Sequence, residues 1–262
     1  MYQTDPPRPP KEVLPTMYDL PSENLEEPGL PDEFHDFQPQ LLRETFQPPN
    51  YSTDEVFVGS DLNLYYDPHH TLWYKRPDWF AVLGASRFYE QQELRLSYVV
   101  WQEGIDPTVV VELLSPGTEK EDLGQTLREV NQPPTKWEVY ERILRIPYYI
   151  IFDRYTDNLQ VFQNIAGRYQ ELTLTESPIW LSSVELGIGL WQGTYQGIER
   201  LWLRWYDAQG NLIPTPSGKV EQQLERVEQQ RESTQQQLEQ ERAKTERLAA
   251  RLRELGVNPE EL

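Results

Sequence analysis

The stretch VVVELLSPGTEKED, residues 109–122, carries a glutamate where a buried strand is expected. Val109, Val110 and Val111 form a short unbroken apolar run, which suits a strand covered on both faces. Glu112 follows them directly. A carboxylate in such a place is costly to desolvate unless it is paired or bound to a cation. A second carboxylate, Asp78, stands in RPDWFAVLG (76–84), just after Pro77 at the mouth of another apolar strand. Two strand-borne carboxylates converging at one end of a sheet can hold a hard divalent cation, Mg²⁺ or Mn²⁺, through oxygen ligands. Such a cation lowers the pKa of bound water and offsets charge on a phosphate. A nearby lysine would add a point charge for the transition state. Lys136, which opens KWEVYERILR (136–145), is the candidate. Each feature also has a plainer reading. Glu112 could pair with Arg95, Arg142 or Arg145; Pro-Asp is a common turn; a lysine at a helix start is usually solvated.

The elements that must position these residues follow from the hydrophobic pattern. Strands are expected over 56–66, 78–84, 96–101, 108–114, 147–153 and 158–163, with a turn at Thr156-Asp157-Asn158. Residues 136–145 place Trp137, Tyr140, Ile143 and Leu144 on one helical face, and Pro147 ends that helix. A further hairpin is expected around Gln209-Gly210. Strands, then a helix, then strands again describe a mixed α/β or α+β domain.

The order and wording of four segments add to this reading. PDWFAV, VVVELLSPGTEKED, KWEVYE and PYYIIFDRYTDNLQVF resemble the Uma family of restriction-type endonucleases, within the PD-(D/E)XK nuclease superfamily. The matching positions are Asp78, Glu112, Ser115-Pro116, Thr118, Asp122, Lys136, Tyr140, Tyr149 and Asp153, within about residues 51–175. The resemblance implies a restriction-endonuclease-like mixed β-sheet core flanked by helices. It also implies Mg²⁺ (or Mn²⁺) chemistry and phosphodiester hydrolysis, with Asp78 and Glu112 as metal ligands and Asp78, Glu112 and Lys136 as the catalytic set. Two departures stand out. The superfamily's lysine usually sits two residues after the glutamate, on the same strand face, and here that position is Leu114. The pattern's substitute lysine on the following helix maps to Lys136, after a long interval from Asp122 that ends in Pro133-Pro134.

Other conspicuous residues rank lower. Asp61 would be a third carboxylate at the metal, or simply a polar residue on an exposed strand face. His69-His70 read as a surface turn, Glu103 as a corner residue, and Trp191, Trp202 and Trp205 as core or interface. The sequence has no cysteine and three histidines, which excludes thiolate sites and disfavours histidine-rich ones.

Composition divides the chain into three. Residues 1–50 hold 11 of the 22 prolines, with three basic and ten acidic residues, and read as an extended acidic arm that contacts its surroundings through Phe34, Phe37, Leu41 and Leu42. Residues 51–214 carry the nuclease-like domain. Residues 219–256 read as a coiled coil, with Leu224, Arg231, Leu238, Thr245 and Leu252 at a and Val220, Val227, Thr234, Glu241, Leu248 and Leu255 at d. The net charge of −19 gives no basic footprint for nucleic acid. No apolar run is long enough to span a bilayer, and MYQTDPPRPP lacks the apolar segment of a signal peptide, so a cytoplasmic location is expected. The competing reading is a catalytically inactive nuclease-fold module that acts in assembly through its arm and coiled coil. The tail pattern itself predicts homo-oligomers. Sedimentation of the full chain should show a larger species than the chain truncated after Pro216; identical sizes across micromolar concentrations would remove the tail as the associating element.

Overall fold

The computed structural model describes residues 32–115, 119–126, 132–172 and 178–254. One compact unit lies within residues 1–213 and a second within residues 214–262. The first opens with helix α1 (Phe34–Thr45), then a short 3₁₀ turn (Thr53–Glu55) and strands β1 (Val56–Gly59), β2 (Leu64–Tyr65), β3 (Tyr74–Lys75), β4 (Trp79–Leu83) and β5 (Tyr98–Val99). Helix α2 (Val100–Glu103), β6 (Val109–Leu113), α3 (Glu119–Asp122) and α4 (Lys136–Glu138) follow, and α4 runs into a π-helical turn over Val139–Ile143. The remainder is β7 (Tyr148–Asp153), β8 (Asn158–Ile165), β9 (Arg168–Glu171), β10 (Ile179–Leu181), β11 (Leu186–Tyr195) and β12 (Ile198–Tyr206). The second unit contains helix α5 (Pro216–Glu254).

The main sheet has the order β1-β4-β6-β7-β8-β9. It is mixed: β6 and β7 run parallel, and the other neighbours are antiparallel. The parallel pair requires a crossover, and α3 and α4 lie in that connection. Every residue of β4 and β6 is buried, as expected for central strands covered on both faces. Side-chain alternation sorts them into two cores. Val109, Val111 and Leu113 pack with Trp79, Ala81, Ile150 and Phe152 on one side. Val110 and Leu114 pack with Phe80, Val82, Val139, Tyr140 and Tyr149 on the other. Glu112 has the parity of Val110 and Leu114, so it points toward the face carrying the 136–143 segment.

The first core is closed by α1 and by the three-stranded sheet β10-β11-β12. Trp202 and Trp205 are buried there and Trp191 packs on its margin, so these tryptophans are core residues.

Four sequence expectations are corrected. The region of residues 1–50 was expected to be extended, but Phe34–Thr45 is a helix with Pro39 inside it; residues 1–31 lie outside the described residues. Pro39 costs the helix about 3 kcal/mol, while burying Phe34, Leu41 and Leu42 returns roughly 1.5–3 kcal/mol each. Burial wins, and the expected anchors make contact from a helix. The strand expected over 56–66 is split, because Asp61 turns the chain at φ +48. The strand expected over 96–101 stops at Val99, where α2 begins and ends on Gly104 at φ +71. The helix expected over 136–145 becomes one α-turn followed by a π-turn. The strands expected at 78–84, 108–114, 147–153 and 158–163 match β4, β6, β7 and β8 to within two residues.

Gln38 explains how α1 is held. Its side-chain amide donates to the Leu203 carbonyl and accepts from the Leu203 N–H, both at 2.9 Å and both buried. β12 is an edge strand, and this amide satisfies the backbone that the edge leaves unpaired. Gln38→Leu should orphan both groups at roughly 1–3 kcal/mol each. Denaturant unfolding should show a loss of several kcal/mol, and a change below about 0.5 kcal/mol would contradict this role.

Candidate active site

β4 and β6 set the two carboxylates side by side. Trp79 is paired with Val111 across the antiparallel ladder, so Asp78 falls opposite Glu112 one step further on. The backbone interlocks them. The Leu113 N–H donates to Asp78 Oδ2 at 2.6 Å, and the Asp78 N–H donates to Glu112 Oε2 at 3.4 Å. Glu112 is fully buried, whereas Asp78 keeps some exposed surface. Among the described residues, none donates to Asp78 Oδ1.

The helical segment supplies the cation. Thr135 and Glu138 form a reciprocal capping box: Thr135 Oγ1 accepts from the Glu138 N–H at 3.1 Å, and Glu138 Oε2 accepts from the Thr135 N–H at 3.0 Å. The cap fixes Lys136 as the first helical residue. Lys136 Nζ donates to Glu112 Oε2 at 2.9 Å and lies 2.8 Å from Asp122 Oδ1. One turn later the Tyr140 hydroxyl donates to Glu112 Oε1 at 2.9 Å. Residues four apart share a helix face, so Lys136 and Tyr140 take one glutamate oxygen each. The π-turn that begins at Val139 places Tyr140 in a geometry often found at functional sites.

The structure therefore brings Asp78, Glu112 and Lys136 together and adds Asp122 and Tyr140. Asp122 is buried in α3. That short helix is tied down from three directions: the Tyr149 hydroxyl donates to the Asp122 carbonyl, and Lys75 Nζ and the Lys136 N–H both donate to Glu121 Oε1. Pro116 and Thr118 of the matched pattern lie outside the described residues. Asp153 serves a turn instead, accepting from the Tyr155 N–H at 2.9 Å. Asp61 touches the Asp78 backbone, but its carboxylate faces Arg76 Nε at 3.6 Å. Of the three arginines offered as partners for Glu112, Arg95 grips Glu103 at 2.8 and 2.9 Å, Arg142 meets Glu141 at 3.3 Å, and Arg145 is exposed. His70 is exposed and stacks on Trp73.

His35 is the site residue that the sequence reading missed. Its Nε2 lies 3.0 Å from the Leu113 carbonyl and its Nδ1 lies 3.0 Å from Asp32 Oδ1. Asp32 in turn pairs with Arg154. The Leu113 backbone thus links His35, through its carbonyl, to Asp78, through its N–H. Pattern could not find it, because the proline-rich composition around it argued for extended chain.

Electrostatics set the protonation states. Burial raises the Glu112 carboxyl well above its ordinary range; Lys136 opposes this, and Asp122 and Asp78 add to it. Burial also raises Asp78, against the pull of Lys136 and His35. Burial disfavours the Lys136 ammonium, yet Asp122, Glu112 and Asp78 together push its pKa well above the usual lysine value. Burial and the Glu112 charge raise Tyr140, which keeps its hydroxyl a donor. Burial lowers His35, but the Asp32 hydrogen bond and the Asp78 charge outweigh it, so the net shift is upward.

Among the described residues, Asp78, Glu112 and Asp122 surround Lys136, with His35 bearing on Asp78 alone of the three, and a proton or a divalent cation would relieve the remaining negative charge. Among the described residues, no three histidine or acidic side chains form a ready-made metal cage. Mg²⁺ is commonly held by one or two carboxylates together with waters and substrate phosphate. The donor set of Asp78 and Glu112 is all oxygen, and among the described residues Asp78 Oδ1 accepts no hydrogen bond, so the residues fit such an ion.

Lys136→Met should be strongly destabilising, by about 3–5 kcal/mol as for a broken buried pair. The sign with pH follows from the shifts. A carboxyl raised by the fold stabilises below its unfolded pKa near about 4.3 and loses that contribution as pH rises through the folded value. Without Lys136 the remaining carboxylates take up protons more readily still, so the penalty should be larger at pH 8 than at pH 5. Urea unfolding at both pH values measures it, and a penalty that grows toward acid would contradict the pairing.

A family model described as "Putative restriction endonuclease" (Uma2) matches residues 14–199. No curated protein matches the chain. The family match takes in the whole six-stranded sheet together with Asp78, Glu112, Asp122, Lys136 and Tyr140. It covers well over half of the 262 residues, and with the mixed sheet and the site geometry it identifies the chain as a member of the Uma2 family of restriction-endonuclease-like proteins.

Proposed function

We propose that this protein is a metal-dependent endonuclease that hydrolyses phosphodiester bonds in nucleic acid. The observation that carries the proposal is the meeting of Lys136 with Glu112 at 2.9 Å beside Asp78. The lysine absent from the strand at Leu114 is replaced from the covering helix, so the charge set of the superfamily is rebuilt by different backbone. Asp78 and Glu112 would hold Mg²⁺ or Mn²⁺. When bound, that ion would supply an activated water and charge compensation on the phosphate. Lys136 stays protonated, because its pKa is raised, and acts as a fixed positive charge toward developing phosphate charge rather than as a base. Tyr140 holds Glu112 Oε1 and so limits rotation of the carboxylate.

A second reading has its own support. Lys136 is already matched by two carboxylates, Glu112 and Asp122, and the chain is strongly acidic. Both features suit a nuclease-fold module without catalysis, acting in assembly.

Single- and double-stranded DNA and RNA should be tested with Mg²⁺ and Mn²⁺. Cleavage is expected with at least one substrate, and Asp78→Asn or Glu112→Gln should lower it by about a hundredfold or more. Calorimetric titration should show Mn²⁺ binding to the native chain and none to Asp78→Asn. Because metal ligands must lose their protons, Mn²⁺ affinity should fall as pH drops, beginning above the ordinary carboxylate range. Neither cleavage nor Mn²⁺ heat would leave the assembly reading in place.

A further inference from the structure

We infer that α5 pairs with the α5 of a second copy of this chain, antiparallel, in the register that sets Arg231 against the partner's Glu241. The helix is continuous from Pro216 to Glu254. Val220, Leu224, Val227, Leu238 and Leu248 lie on one heptad seam, whose intervening positions are filled by the polar Arg231, Thr234, Glu241 and Thr245. Each of these apolar residues is between 52% and 66% exposed. A long polar helix with such a stripe is marginal alone and gains by covering it.

The polar residues that interrupt the stripe choose the partner and its direction. In a parallel in-register pair each seam residue meets its own copy. Arg231 would then face Arg231 of the partner subunit, and Glu241 would face Glu241 of the partner subunit. The parallel flanks offer nothing in return: Gln230 would meet Gln235, and Lys244 would meet Ala249. In an antiparallel pair centred on Gln236, a positions meet d positions. Leu224 then meets Leu248, Thr234 meets Leu238, and Arg231 meets Glu241. On the flank, Glu228 meets Arg242. The twofold axis repeats each contact, so four interchain ion pairs form and no like charges oppose.

The register is selected as well. A shift of one heptad sets Glu241 against Leu224 or Leu238, and Arg231 against Thr234 or Leu248. An exposed Lys244–Glu241 contact within the helix, 2.7 Å long, is screened by solvent and does not compete strongly. Because the charge pattern is complementary to its own reverse, the occupant is a second copy rather than an unrelated helix, in an isologous contact. At 1.5 Å per residue, the two Pro216 residues would lie about 60 Å apart.

A charge-swap cycle tests this on the full chain by sedimentation equilibrium. Arg231→Glu should weaken the dimer by about tenfold or more, since it opposes two Glu pairs. Arg231→Glu combined with Glu241→Arg should restore it. In a parallel pair, the single change merely replaces one repulsion by another. The chain has no cysteine, so orientation can be read by oxidation. Leu224→Cys alone should not cross-link, whereas Leu224→Cys mixed with Leu248→Cys should. A monomer at all concentrations, an unaffected Arg231→Glu dimer, or efficient cross-linking of Leu224→Cys alone would each overturn the inference.

Discussion

A carboxylate with no exposed surface is the constraint around which this domain is arranged. Glu112 lies in the middle of the main sheet, and its charge cannot be left unmatched there. Lys136 and Tyr140 each take one of its oxygens, and the Asp78 backbone takes a further share. That demand explains features that otherwise look unrelated. The capping box at Thr135 fixes where Lys136 starts. The π-turn brings Tyr140 to the second oxygen. The crossover between parallel strands β6 and β7 must pass over this face of the sheet to deliver both.

The second face is organised by a different kind of polar contact. α1 joins the core through Phe34, Leu41 and Leu42, and Gln38 closes the backbone of edge strand β12. His35 extends that helix to the site by accepting a place between Asp32 and the Leu113 carbonyl. Leu113 is therefore held through its carbonyl by His35 and through its N–H by Asp78. Packing on one face of the sheet thus sets the position of the Asp78 carboxylate.

The sheet was legible because its central strands are short, unbroken apolar runs bounded by proline and turn residues. Val109–Val111 and the run ending at Asp153 leave little choice of element. The site was legible in part. A glutamate directly after three valines signals a special environment, and the local wording around it pointed to Asp78 and Lys136. Helix α1 was not legible, because eleven prolines in fifty residues dominate the composition while the apolar face of α1 is only three turns long. His35 went unseen for the same reason. Asp122 was noted as a match, but its contact with Lys136 depends on how the α3 segment folds back, which no local pattern encodes. The splitting of the first expected strand rests on a single left-handed residue, Asp61, and the helix at Val100 on the glycine that ends it.

The central proposal is that Asp78 and Glu112 share a divalent cation. An anomalous-scattering map from Mn²⁺-soaked crystals tests it most directly. The account predicts a single peak within about 2.0–2.6 Å of one oxygen from each carboxylate, with the Lys136 ammonium still beside Glu112. A map with no peak there under saturating Mn²⁺, and with Asp78 Oδ1 unliganded, would contradict it.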